Sequence, residues 1–166
     1  MKASELKKNC IEIIYSIEDL ANVALWLRSF IKPGDRIGLN GDLGAGKTTL
    51  IGSYCDLLHL KPGYIVQSPT YGLVHEYKTI HDELILHVDL YRLTQQSTFD
   101  ELELDDLPLY SILFLEWANR LDNDYQKSYF TYLFDLKTLQ NDQRLLKISS
   151  NIKDISCIPI FTIKQC

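Results

Sequence analysis

The sequence predicts a single α/β domain over residues 1–166, with a mostly parallel central sheet, helices on both faces and antiparallel strands toward the C-terminus. One observation is a short strand, residues 35–40, that leads through a glycine-rich loop into a helix. Another is the apolar run at residues 111–116, which lacks the alternation of half-exposed strands and so indicates burial on both faces. Two later segments do alternate, and they predict antiparallel edge strands at residues 129–136 and 144–150.

The first part of the chain predicts strand, helix, strand, loop and helix in that order. Residues 10–15 form the first strand, and Ser16 with Asp19 forms a capping box that opens the first helix. One face of that helix is apolar at helical spacing: Leu20, Val23, Ala24, Leu27 and Ile31. A Pro-Gly pair at residues 33–34 ends the helix. The second helix follows the glycine-rich loop and runs over about residues 47–59.

Strands dominate the prediction for the middle of the chain. Residues 64–67 and 72–77 are rich in β-branched and aromatic side chains and precede the apolar strand at 84–89. Residues 97–106 predict an acidic helix with a solvated face. The last residues, 151–166, carry no periodicity that assigns them a structure.

Composition predicts a soluble cytoplasmic protein. The net charge is −5, which argues against a surface that holds nucleic acid alone, because such surfaces are usually basic. The four cysteines are scattered without metal-ligand spacing and indicate reduced thiols. The chain has no run of ~20 apolar residues that could span a bilayer, and no targeting segment is predicted.

Residues 41–48 match the phosphate-binding pattern G-x-x-x-x-G-K-[ST] in full. The glycines let the chain curl so that backbone N–H groups point at phosphate oxygens, and the following helix directs its positive end at the anion. Lys47 is expected to contact the β- and γ-phosphates, and the Thr48 hydroxyl to bind Mg²⁺. The sequence therefore predicts a P-loop NTPase domain that binds ATP and Mg²⁺. The expected nucleotide contacts are Asp42, Leu43, Gly44, Ala45, Gly46, Lys47, Thr48 and Thr49.

Two apolar strands end in carboxylates, Asp89 and Glu116, where ligands of open α/β sheets bind. Either acid is a candidate magnesium ligand with Thr48, and both are candidate catalytic residues with Lys47. Thr70 is a further candidate, because it lies in a Ser-Pro-Thr turn where nucleotide switches place a γ-phosphate sensor. Without that context, an ordinary turn is the better explanation of the pattern.

Four motifs in this order closely resemble the TsaE family, the bacterial ATPase of tRNA threonylcarbamoyladenosine biosynthesis. They are G-D-L-G-A-G-K-T-T at residues 41–49, S-P-T-Y at 68–71, H-V-D-L-Y-R at 87–92 and L-E-W at 115–117. The similarity runs from about residue 12 to residue 150. One departure is the start of the first helix, where the family often has a threonine near the adenine and this chain reads Ser-Ile-Glu-Asp.

The resemblance implies an ATP-binding and ATP-hydrolysing subunit that supports the TsaB–TsaD pair, which transfers a threonylcarbamoyl group to adenosine 37 of tRNA. It implies that tRNA is contacted only indirectly. By the family pattern, Lys47 and Thr48 bind phosphates and Mg²⁺, Glu116 is a further metal ligand and Asp89 acts at the nucleotide site. Thr70 belongs to the switch-like segment, and Trp117 follows the metal-binding acid.

Three alternatives remain open from the residues. A GTPase is suggested by Asn119 and Asp122, which mimic N-K-x-D, but Asp89 lacks the following glycine of D-x-x-G. A small-molecule kinase is the second, although the five arginines form no pair in a lid-like loop. The third is a nucleotide-dependent binding module with negligible turnover, because no residue stands out as the group that activates water. Slow hydrolysis in isolation is therefore expected.

Overall fold

The computed structural model describes residues 10–69, 74–92 and 106–161 of the 166-residue chain. The strands in these ranges are β1 Cys10–Ser16, β2 Arg36–Asn40, β3 Val74–Lys78, β4 Leu84–Asp89, β5 Ile112–Glu116, β6 Tyr132–Thr138 and β7 Gln143–Ser149. The helices are α1 Leu20–Arg28, α2 Lys47–Leu57 and α3 Asn123–Tyr129, with 3₁₀ turns at Ile17–Asp19 and Ala118–Arg120. In the described ranges, no helix has the length and apolar character needed to cross a membrane.

The strands form one sheet in the order β1-β7-β6-β2-β5-β4-β3. The central strands β6, β2, β5 and β4 run parallel to one another, whereas β1, β7 and β3 pair antiparallel. The predicted fold class is therefore confirmed. One detail differs, because β6 lies inside the sheet rather than at its edge, parallel to β2 and antiparallel to β7.

Both faces of the central strands are covered, which is why β4 and β5 are apolar without alternation. Ile85 and Phe114 pack with side chains of α1 and α2 in one core cluster. Their sequence neighbours Leu86 and Leu113 pack on the opposite face with the side chains around α3. Successive residues of each strand therefore pack alternately in the two hydrophobic core clusters on opposite faces of the sheet.

The entry into α1 follows the predicted cap. The Asp19 carboxylate accepts hydrogen bonds from the Ser16 N–H at 3.1 Å and from the Ser16 hydroxyl at 2.7 Å. The first turn, Ile17–Asp19, is a 3₁₀ turn, and the α-helix begins at Leu20.

The predicted strand at residues 64–67 is wrong, because the segment has no strand conformation. Ile65 is 78% exposed, whereas Val66 packs on the core beside Gly52 of α2. A strand needs a hydrogen-bonding partner, and side-chain composition does not report one. Of the predicted acidic helix, residues 97–105 lie outside the described residues.

Two elements after β5 were not predicted. Trp117 adopts a left-handed conformation with φ 61° and begins the 3₁₀ turn Ala118–Arg120. The Asp122 carboxylate then caps α3 by accepting from the N–H groups of Asp124 and Tyr125 at 3.0 and 2.9 Å. The helix is only seven residues long, too short for a clear helical periodicity in the sequence.

The segment after β7 packs against the first core cluster. Ile155 and Ile158 are buried in it, and the Trp26 indole N–H donates to the Pro159 carbonyl at 2.7 Å. Lys153 Nζ lies 2.6 Å from the buried Asp35 carboxylate. The described part of the C-terminal segment, up to residue 161, therefore packs against α1 and the first core cluster.

Candidate functional site

The glycine-rich loop connects the end of β2 to the start of α2. Gly41 has φ +141°, and a Cβ there would lie 2.5 Å from the Leu136 carbonyl oxygen. Gly44 and Gly46 also have positive φ, +80° and +97°. These conformations favour glycine and curl the backbone over the N-terminus of α2, where unpaired N–H groups form an anion site.

Lys47, the first residue of α2, lies within this loop and is only 4% exposed. Its ammonium donates to the carbonyls of Gly41 at 2.7 Å and Asp42 at 3.0 Å. The same nitrogen lies 4.1 Å from the centroid of the Trp117 ring, in a cation–π contact. The ring and the loop together fix the position of the charge.

The electrostatic surroundings of Lys47 combine burial with three nearby carboxylates. Burial lowers the pKa of the ammonium, and the carboxylates of Glu116, Asp89 and Asp42 oppose that shift. The ammonium has thus lost part of its hydration, and a phosphate placed beside it would stabilise the charged form.

Asp89 and Glu116 are register partners at the ends of the parallel strands β4 and β5. The two-residue period of a strand places Asp89 on the face of Ile85 and Glu116 on the face of Phe114, which is the α2 face. Both acids are buried, at 2% and 3% exposure. Two carboxylates therefore meet beneath the start of α2.

Each acid is held by hydrogen bonds. Glu116 Oε1 lies 2.6 Å from the donating Thr48 hydroxyl and 2.9 Å from Nε2 of His87. Asp89 accepts from the Ser68 hydroxyl and, at 2.8 Å, from the Tyr91 N–H. These hydrogen bonds fix the orientation of both carboxylates.

These groups line a cleft of about 320 Å³. Its walls are Leu43, Gly44, Gly46, Lys47, Thr48, Thr49, Ser68, Asp89, Tyr91, Glu116 and Trp117. The oxygen donors of Thr48, Asp89 and Glu116 suit Mg²⁺, which prefers hard oxygen ligands. The described residues contain no group of three or more His, Cys, Asp or Glu side chains arranged as a metal site. A Mg²⁺ ion here would therefore take its other ligands from phosphate and water, as is usual for this ion.

The family model of the threonylcarbamoyl adenosine biosynthesis protein TsaE matches residues 14–146 of the chain. The chain belongs to the TsaE family. Two curated relatives have the name tRNA threonylcarbamoyladenosine biosynthesis protein TsaE. The one from Rickettsia bellii is 32% identical over 86% of this chain and 96% of its own length. The one from Aquifex aeolicus is 39% identical over 65% of this chain and 76% of its own length.

A solved structure agrees with the fold of this TsaE family member. The crystal structure of Bacillus subtilis YdiB superposes with a TM-score of 0.62 over 85% of each chain, at 24% sequence identity. At this identity the likeness is evidence for the shared fold.

Most of the predicted site residues come together in this TsaE fold. Six of the eight predicted nucleotide contacts line the cleft, together with Asp89 and Glu116. Of the other two, Ala45 is buried, and Asp42 turns its carbonyl to the Lys47 ammonium. Thr70 lies outside the described residues, so its predicted role stays a prediction.

Sequence reasoning missed three contributors to the site. His87, which the sequence analysis includes only as part of the H-V-D-L-Y-R motif, contacts Glu116. Tyr91, whose ring lies tilted against the Trp117 ring with centroids 5.0 Å apart and an interplanar angle of 45°, was not singled out beyond its motif. Arg144 of β7 reaches the loop from the other side, with Nε 4.0 Å from the position of a Cβ on Gly46. The H-V-D-L-Y-R motif was the available signal for His87 and Tyr91, whereas Arg144 is brought near only by the β6–β7 hairpin.

Proposed function

We propose that this TsaE family member binds and hydrolyses ATP with Mg²⁺ and supports the TsaB–TsaD pair in the biosynthesis of tRNA threonylcarbamoyladenosine, in the cytoplasm. The observation that carries the nucleotide part is the 2.6 Å hydrogen bond between Thr48 and Glu116 at the mouth of the glycine-rich loop. A phosphate loop is thereby joined to a carboxylate of the neighbouring strand, which is the arrangement that P-loop NTPases use for metal–nucleotide binding.

The residues of the cleft have distinct roles in this proposal. The N–H groups of the loop and the α2 N-terminus hold the phosphates, and Lys47 neutralises their charge. Thr48 and Glu116 hold the cation, with Asp89 beside them. Bound Mg²⁺ would supply charge neutralisation on the phosphate oxygens. Trp117 covers the ammonium and limits its access to water.

A second hollow adjoins the same helix start and suits the rest of the nucleotide. Its lining is mixed, with apolar and polar side chains: Ile17, Glu18, Leu20, Ala21, Thr48, Thr49, Gly52, Ser53, Asp56 and Val66. Because the hollow shares Thr48 and Thr49 with the phosphate cleft, one ligand could occupy both. Its apolar side chains suit the flat face of a base.

The position of Asp122 argues against the GTPase alternative. The carboxylate that would read a guanine in N-K-x-D caps α3 through two backbone N–H groups. Asn119 lies in the 3₁₀ turn directly after β5. Displacement of bound ATP by GTP at lower concentration would restore that alternative.

The binding-module alternative is favoured by one observation. Asp89 and Glu116 both accept hydrogen bonds from protein donors, so part of each carboxylate is engaged with the protein rather than with water. We therefore expect slow hydrolysis by the isolated chain and faster turnover with partners. Equal turnover with and without TsaB–TsaD, and no effect of ATP on their association, would contradict this expectation.

Reconstitution tests the whole proposal. TsaB, TsaD, threonylcarbamoyl-adenylate, tRNA and ATP are combined with and without this chain, and modified nucleosides are counted per complex. Multiple turnovers are expected only with the wild-type chain or with Lys127→Ala, a control at an exposed lysine of α3. Lys47→Ala should give no multiple turnovers. Equal counts without the chain would contradict the proposal.

A further inference from the structure

His87 is a fully buried histidine in the middle of β4, at 0% exposure. It lies two residues before Asp89 and therefore on the same face of the sheet. Its Nε2 lies 2.9 Å from Oε1 of Glu116, which is itself buried. Burying a polar ring in this position costs desolvation free energy, which the hydrogen bond to Glu116 partly offsets.

The hydrogen-bonding pattern selects one tautomer of His87. An ionised carboxylate only accepts hydrogen bonds, so Nε2 must carry the proton that is donated to Glu116. Nδ1 is buried and has no hydrogen-bond partner in the described part of the chain. A proton on Nδ1 would therefore be a buried donor without an acceptor, which is unfavourable. The ring therefore donates to Glu116 through Nε2.

Glu116 is held at one oxygen by two donors. Thr48 Oγ1 at 2.6 Å and His87 Nε2 at 2.9 Å both contact Oε1, whereas Oε2 takes part in no hydrogen bond within the described residues. Rotation of the carboxylate would break both bonds. Two donors at Oε1 therefore leave Oε2 to face the cleft.

We propose that His87 is a positioning residue that holds Glu116 through Oε1 and keeps Oε2 available for a divalent cation bound with nucleotide. This inference rests on the proposed function, since it requires that the cleft takes a cation and a nucleotide together. Hydrogen-bonded partners of metal-ligating groups typically change metal affinity by about 10- to 100-fold when they are removed.

Two substitutions separate positioning from packing. His87→Leu fills the site without a donor, whereas His87→Gln retains an N–H donor near the position of Nε2. His75→Leu is the matched control, because His75 is the register partner of His87 on β3 and its ring contacts Tyr77 rather than Glu116. Binding of a fluorescent ADP analogue is measured in EDTA and across a Mg²⁺ titration.

For His87→Leu we expect the Mg²⁺ concentration that gives half of the increase in nucleotide affinity to rise about tenfold or more. The affinity for the ADP analogue in the presence of EDTA should stay within about twofold of wild type. His87→Gln should recover most of the loss, and His75→Leu should match the wild type. Unchanged Mg²⁺ dependence in a folded His87→Leu protein, or equal losses in the Gln and Leu variants, would overturn the inference. Absence of nucleotide binding or of Mg²⁺ dependence in the wild type would instead overturn the proposed function.

A measurement on the wild-type protein covers the case in which His87→Leu does not fold. ¹⁵N NMR of the histidine rings, with His87 assigned by its loss in His87→Gln, reports which nitrogen carries the proton. We expect the Nε2–H tautomer, and an Nδ1–H tautomer would contradict the proposed hydrogen bond.

Discussion

The Thr48 hydroxyl donates to Glu116 Oε1 at 2.6 Å and so joins the first turn of α2 to the end of β5. The two residues are far apart in the sequence, and the parallel pairing of β2 with β5 brings them together. A cation that binds the Thr48 hydroxyl would also lie within reach of the Glu116 carboxylate. The hydrogen bond therefore connects the phosphate loop with the acidic end of the sheet.

Lys47→Ala should weaken nucleotide binding while the chain stays folded. The substitution removes the ammonium that the loop carbonyls and the Trp117 ring hold at the cleft. Loss of a charge-assisted contact to phosphate is expected to weaken binding by at least about tenfold. Calorimetric titration with ATP and circular dichroism check the two parts. Wild-type affinity in Lys47→Ala would contradict the assigned role.

Gly41→Ala should destabilise the fold more than Gly44→Ala. Both glycines have positive φ, but a Cβ on Gly41 would lie 2.5 Å from the Leu136 carbonyl, whereas none on Gly44 would meet an atom within 4 Å. Backbone strain alone costs about 1 kcal/mol, and the clash at Gly41 adds about 1–3 kcal/mol. Urea unfolding of both variants measures the difference. Equal losses would show that the loop does not pack on β6 as described.

Ile155→Ala should reduce the free energy of unfolding by about 2–4 kcal/mol. Ile155 is 3% exposed in the core beneath β1, whereas Ile160 is 92% exposed on the same segment. The control Ile160→Ala should therefore change stability by less than about 0.5 kcal/mol. Similar thermal midpoints for both variants would mean that the C-terminal segment does not fasten the core.

Stability should fall as the pH rises above 9. Burial raises the pKa of the Cys55 thiol from its ordinary value of 9.0 to about 12. Between these values the unfolded chain loses the proton and the folded chain keeps it, so the unfolded state binds fewer protons and the free energy of unfolding decreases with pH. The loss at pH 10 should be about 1 kcal/mol.

Cys55→Val is the variant that isolates this effect, because it removes the thiol at similar volume. Urea midpoints at pH 8 and pH 10 should differ less in Cys55→Val than in the wild type. Tyr54, whose pKa burial raises to about 12, is retained in both proteins and contributes equally. Identical pH dependence in the two proteins would contradict the assignment to Cys55.

Much of the fold could be predicted because its signals are local. The apolar run of β4 ends at Asp89 as predicted, and the glycine-rich loop precedes a helix that begins at Lys47. Two-sided burial leaves a continuous apolar run that is visible without knowledge of neighbours. The position of β6 could not be predicted this way, because its pairing with β2 depends on residues distant in the chain.

The site was predictable where a motif encodes its geometry. Lys47 and Thr48 follow from the phosphate loop, and Asp89 and Glu116 from their positions at strand ends. The contact of His87 with Glu116 depends on the register of β4 and β5, which a single sequence does not report. The approach of Arg144 to Gly46 likewise depends on how the β6–β7 hairpin lies against the loop.

Equilibrium binding of ATP to wild type and Glu116→Gln, each in EDTA and in Mg²⁺, tests the central claim most directly. The wild type is expected to bind ATP in both conditions and about tenfold more tightly with Mg²⁺. Glu116→Gln should match it in EDTA and lose most of the gain from Mg²⁺. Failure of the wild type to bind ATP, or an undiminished Mg²⁺ effect in Glu116→Gln, would contradict a metal–nucleotide site built on Thr48 and Glu116.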